Sequence, residues 1–265
     1  MRHVRMLFIG GSAFACGYAL AHPEETLILA RKIGLGEEFT AALHRPYLAQ
    51  PKTAEGQWLY EETLKWEMRR GEILHQIPVT DLLAVMLDSR GCKVLFQTEV
   101  MSIQKQEDGW LVDIWNADGQ TQVYADCVVE TESFTKSRLP EGFPQDCVPE
   151  KYAFCAPMVL DKGAEFKEVE GEIFLHGAAR NEIIWYLPLP DEFEDDMLKI
   201  RPYLHKRYET FRGKYPMTMG AEGGCVAAIY NKPISVPLDQ NYFFCPSASF
   251  DHLMEAFEQG VLFHV

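Results

Sequence analysis

The chain has 265 residues, 47% hydrophobic and 24% charged, with 25 basic against 39 acidic side chains and a formal charge of −14. Such a chain folds as one large domain or two interleaved ones, and its acidic excess argues against nucleic acid or anionic lipid as a partner. Seven cysteines without a C-x-x-C spacing point to reduced thiols in the cytosol, and no segment reaches the ~18 apolar residues that read as a membrane span.

Val4 to Ile9 reads as a buried strand that passes through Gly10-Gly11-Ser12 into a helix over Ala13 to Ala21; Thr26 to Leu29 is then a parallel neighbour, so a β-α-β unit opens the chain. From 34 to 78 the pattern is irregular, with helical composition over Trp58 to Arg70. Thr80 is an expected N-cap for a helix that stops at Gly91. Strands follow at Lys93 to Phe96, Val100 to Lys105, Trp110 to Trp115, Thr121 to Ala125 and Cys127 to Glu130. Turns at Asp108-Gly109 and Asp118-Gly119 make a meander that feeds back into the central sheet.

Pro140 to Pro149 is a proline-bearing connector to a second unit. There, strands are expected at 153–160, 172–175, 183–187 and 226–229, with a helix over Met197 to Phe211. Asn241 to Cys245 is a last strand and Phe250 to Phe263 a closing amphipathic helix.

Phe8-Ile9-Gly10-Gly11-Ser12-Ala13-Phe14-Ala15-Cys16 resembles the strand-turn-helix of the FAD-dependent oxidoreductases, in which G-x-G-x-x-G seats a pyrophosphate on a helix N-terminus. Gly10 matches the first glycine, while Ser12 and Ala15 stand at the other two. Glu130-Thr131-Glu132 takes the place of the family's A-T-G strand end, and Pro246-Ser247 that of its Gly-Asp, ahead of a helix carrying Gly260. Matching Leu35-Gly36 to the family's L-G-G puts Ala30 where an acid should hold the adenosine ribose.

The resemblance implies an α/β fold: a Rossmann-like FAD/NAD(P)-binding sheet with a β-meander over residues 1–139 and 240–265, and an inserted α+β substrate-type domain over 140–239. It also implies a diverged and shortened member, whose connection from Gly36 to Pro78 is brief for a family that wraps the flavin there. Gly10, Gly11, Ser12, Ala15, Ala30, Arg31, Thr131, Glu132 and Ser247 are the cofactor-binding positions. Their changes point to FAD binding that is weakened or lost, with a structural or regulatory role beside a protein partner. The alternative is an active oxidoreductase acting on a small organic substrate with FAD, or with NADP, whose 2′-phosphate Arg31 would meet beside the small Ala30. Its oligomeric state and catalytic residues are not readable.

Other residues admit two readings each. Cys16 at a helix start is either a dipole-stabilised thiolate or a packing residue. Cys225 and Cys245 are flavin neighbours or core residues. His252 is a proton donor or a surface histidine; with His75, His176 and His205 it shows no metal-ligand spacing, so no metal is expected. Glu130 and Glu132 are an acid-base pair on one strand face or an exposed strand end. Trp110 and Trp115 read as sheet packing, and the acidic run from Asp191 to Asp196 as a solvated loop.

Overall fold

The computed structural model describes residues 2–135, 139 and 143–264. Its first half is β1 (Arg2–Ile9), α1 (Ala13–Ala21), β2 (Thr26–Ala30), α2 (Glu37–Thr40), α3 (Ala54–Lys65), β3 (Arg69–Arg70), β4 (Ile73–Leu74), α4 (Val79–Ser89), β5 (Lys93–Phe96), β6 (Glu99–Lys105), β7 (Trp110–Asn116) and β8 (Gly119–Glu130). The second half is β9 (Lys151–Leu160), β10 (Ile173–His176), β11 (Glu182–Pro188), α5 (Met197–Glu209), β12 (Met217–Met219), β13 (Ala227–Ile229), β14 (Val236–Asp239), β15 (Tyr242–Phe244) and α6 (Leu253–Val261).

β1 is central in a sheet of order β14-β15-β8-β1-β2-β5, with the meander β6-β7 added on β8. It pairs in parallel with both β2 and β8, which makes the position between β1 and β8 a topological switch point. Its apolar run is continuous because both faces are covered. Met6 and Phe8 pack under α1, α4 and α6, while Leu7 and Ile9 meet Trp110, Val112 and Ile114 of the meander.

The second sheet is antiparallel, in the order β10-β11-β9-β12 with β13 also on β9. It buries Phe154, Trp185 and Leu187 against Ile200, Leu204 and Tyr208 of α5. The chain re-enters the first sheet at Val236, and Phe244 packs there with Phe143, Cys147 and Tyr230. Pro140, where the proline-bearing connector begins, lies outside the described residues.

Three local expectations change. α3 starts earlier, at Ala54 after the N-cap Thr53, whose hydroxyl accepts from the Gly56 N–H, and it ends at Lys65. Glu67 then takes a positive φ and buried Met68 turns into the core, so Arg69 and Arg70 form a hairpin with β4. Thr80 lies inside α4 rather than capping it, and its hydroxyl accepts from Leu35 N–H at 2.7 Å. Thr121 to Glu130 is one strand, since Asp126 points outward to His3 Nε2 at 2.6 Å without interrupting the ladder.

Candidate functional site

The carboxyl ends of β1, β2, β8 and β15 bring the sequence-marked residues together. At the end of β1, Gly10 has φ +113°, a conformation L side chains rarely adopt, and a Cβ there would lie 2.6 Å from Thr131 Oγ1. Thr131 follows β8 and ties back to β1: its N–H donates to Ile9 O at 2.9 Å and its hydroxyl to the same oxygen at 3.1 Å. Gly11 lies so close to Ala30 that a Cβ on it would stand 2.8 Å from Ala30 Cβ.

Ser12 caps α1, and three of the four N–H groups that a helix start leaves without intrahelical partners, those of Ala13, Phe14 and Ala15, have acceptors inside the chain. Ala15 N–H donates to Ser12 Oγ at 3.1 Å, while Cys16 N–H makes the first intrahelical bond, to Ser12 O at 3.0 Å. Phe14 N–H donates to Ser247 Oγ at 3.3 Å, and Ala13 N–H to Glu38 Oε1 at 2.8 Å. The loop from Ala30 to α2 places Glu38 there by folding back on the glycine turn, with Gly36 N–H donating to Gly11 O at 2.7 Å. Burial raises the Glu38 pKa, against the opposing hydrogen bonds from Ser247 and Ala13. Ser247 also donates its own N–H to Thr131 O at 3.0 Å, so one fully buried residue joins α1, β8 and the end of β15.

In front of this lies a cleft of roughly 240 Å³. Gly11, Ser12, Ala30, Arg31, Thr131 and Glu132 line it, with Tyr152, Cys225 and Val226 from the second sheet's side. Gly10, Ala15 and Ser247 are buried behind that wall. Arg31 pairs with Glu99 at 2.9 Å and Glu132 at 3.2 Å, and Lys32 with Glu37 at 2.7 Å. Burial disfavours the charge on Arg31, yet Glu132 and Glu99 hold its pKa above the ordinary value. The Glu132 carboxyl is raised by burial, with Arg31 and Lys32 pulling the other way.

No family model and no curated protein sequence matches the chain. Solved structures do. A p-nitrophenol 4-monooxygenase from Pseudomonas putida superposes with a TM-score of 0.65 at 10% identity, over 98% of this chain and 78% of that one. Glycine oxidase from Bacillus cereus gives 0.60 at 12% identity, over 98% and 93%. A myxobacterial chondrochloren halogenase, described as a new variant of FAD-dependent halogenases, gives 0.58 at 10% identity, over 99% and 72%. The chain has the FAD-dependent oxidoreductase fold.

Within this fold several readings of single residues are settled. Glu130 is not an exposed strand end: it is 8% exposed and accepts a 2.9 Å hydrogen bond from the Tyr242 hydroxyl. It also does not share a cleft with Glu132, which lines the α1 side. Cys16 is fully buried and its pKa is raised by burial, the opposite of an activated thiolate. Burial likewise pushes Cys225 and Cys245 up to about 11. His252 caps α6, its Nδ1 accepting from Glu255 N–H at 3.1 Å. Trp110 packs in the sheet as expected, but Trp115 is 55% exposed. Among the described residues no group of three His, Cys, Asp or Glu side chains is placed to hold a metal ion, and no helix is long and apolar enough to cross a membrane.

Glu38 is the site residue that sequence reasoning missed. It sits in the irregular stretch after Gly34, and its only sequence signal is an acidic pair, Glu37-Glu38, at the start of a four-residue helix.

Proposed function

We propose that this protein uses the FAD-dependent oxidoreductase fold without holding the dinucleotide, and serves as a structural or regulatory partner of another protein. One observation carries the reading: the Glu38 carboxylate on Ala13 N–H at 2.8 Å, at the helix end where a pyrophosphate would sit. A helix N-terminus binds phosphate because its N–H groups lack partners, and here those of Ala13, Phe14 and Ala15 each have one.

The remaining residues do not fit FAD either. Ala30 offers no carboxylate to a ribose, Ser12 adds a side chain at the turn, and Glu132 joins Glu37, Glu38 and Asp195 among the acids lining the cleft. At ~4 Å and an effective dielectric near 20, each like-charge contact costs on the order of 4 kcal/mol before relaxation. Arg31, the residue an NADP 2′-phosphate would need, is already paired with Glu99 and Glu132. The acidic surface, with a net charge of −14, favours a basic partner.

The purified chain is expected to show no flavin absorbance in the visible and no quenching of added FAD fluorescence. A preparation releasing about one FAD per chain overturns the reading, and calorimetric binding of NADP more tightly than NAD installs an active nicotinamide-dependent oxidoreductase in its place.

A further inference from the structure

A second cleft, of about 540 Å³, opens beside the carboxyl end of β8. Val100, Met101 and Ile103 of β6 form one wall, Pro237 and Leu238 of β14 another, and Phe134 and Phe143 contribute rings. That size falls in the ~300–1,000 Å³ range of small-molecule sites, and an apolar lining with one or two fixed polar groups is their usual chemistry. The polar groups here are Glu130, Tyr242 and Ser102, whose hydroxyl is already given to Asp113 at 2.6 Å.

Glu130 is 92% buried, counting from its 8% exposure, and among the described residues its one side-chain hydrogen bond comes from Tyr242. A carboxylate has about four acceptor sites, so one phenol leaves it capacity for a further donor. The titratable and charged groups facing it are the neutral phenol of Tyr242 on β15, Glu132 after β8 and Arg31 after β2. Arg31 gives its hydrogen bond and close contact to Glu99 and Glu132 rather than to Glu130.

We propose that this cleft binds a small hydrophobic amine, its apolar body against the β6 and β14 walls and its ammonium on Glu130. A cation is the matching head group because a buried carboxylate is stabilised by a charge-assisted donor, and because a surface of net charge −14 concentrates cations around it. The site shares Phe134 with the α1 cleft but not Glu130 or Tyr242, so the proposal does not require a dinucleotide to be held there.

The test is calorimetry on the whole chain with three probes of one shape: 2-phenylethylamine, 2-phenylethanol and phenylacetate. The amine is expected to bind at least about ten-fold more tightly than the other two. Its affinity should rise between about pH 6 and pH 8, as Glu130, held near 7 by burial, ionises. E130Q should bring the amine down to the alcohol's affinity while leaving the alcohol unchanged. Should that variant fail to fold, Met101→Arg, at a 63% exposed position on the rim, should weaken the amine selectively. An amine that binds no better than the alcohol, or one insensitive to these substitutions, overturns the proposal.

Discussion

Gly17 of α1 and Gly260 of α6 each lie against the backbone of the other's helix: a Cβ on Gly17 would run into the Phe257 carbonyl, and one on Gly260 into the Phe14 carbonyl. The two helices therefore cross with backbone in contact, and α6 holds α1 from behind. In an open helix, Gly→Ala gains about 1 kcal/mol. Here Gly17→Ala and Gly260→Ala are each expected to lose about 1–3 kcal/mol or more, because overpacking outweighs propensity. Urea denaturation checks the sign, and a stabilised variant would show that the helices do not meet this way.

Glu38→Ala should uncover Ala13 N–H at the positive end of α1. Its expected cost is about 1 kcal/mol, as for a lost cap. The variant should also gain what the parent lacks: thermal stabilisation by inorganic pyrophosphate at constant ionic strength. Ala30→Glu combined with Glu132→Gly should not restore FAD quenching while Glu38 stays in place; quenching by that double variant would show that Glu38 is not the obstacle.

Glu130 makes stability fall as pH rises. Burial raises its pKa from 4.5 to about 7, so the folded state binds its proton more tightly than the unfolded chain. The contribution is complete below about 4.5 and lost as pH passes through about 7, and it amounts to on the order of 3 kcal/mol. E130Q should flatten that limb of the pH–stability curve measured by denaturant. An unchanged slope would contradict the burial of the carboxyl.

His44 acts at the other end. It is 2% exposed, lies between Phe39 and Tyr186, and its Nδ1 has no hydrogen-bond partner among the described residues. Burial, then the nearby Arg45, lowers its pKa from 6.5 to about 4. A depressed value means stability is full above 6.5 and declines as pH falls toward 4, because unfolding lets the ring take up a proton. His44→Phe should remove this acid limb, on the order of 3 kcal/mol, without altering the one due to Glu130. Melts at about pH 4 and pH 7 distinguish the two.

Much of the first sheet was readable because apolar runs covered on both faces, such as Leu7-Phe8-Ile9 and Leu27-Ile28-Leu29, need no partner information to be recognised as strands. The meander was readable from its Asp-Gly turns. The stretch from 34 to 78 was not, since α2 has four residues and the α3 end is set by Glu67 at positive φ and by the pull of Met68 into the core.

The sequence by itself determined the parallel strands of the first sheet and the meander, and it marked Ser12, Ala30, Glu132 and Ser247 as expected cofactor positions. These are local facts, written in spacing and residue type. Only the tertiary structure decided what those positions do instead. Glu38 reaches Ala13 across 25 residues and Ser247 reaches Phe14 across 233, and hydrogen bonds at such separations leave no periodicity in the chain. The burial of Glu130 was decided in the same way, by β6, β14 and β15 closing around a strand end that in isolation would be a solvated carboxylate.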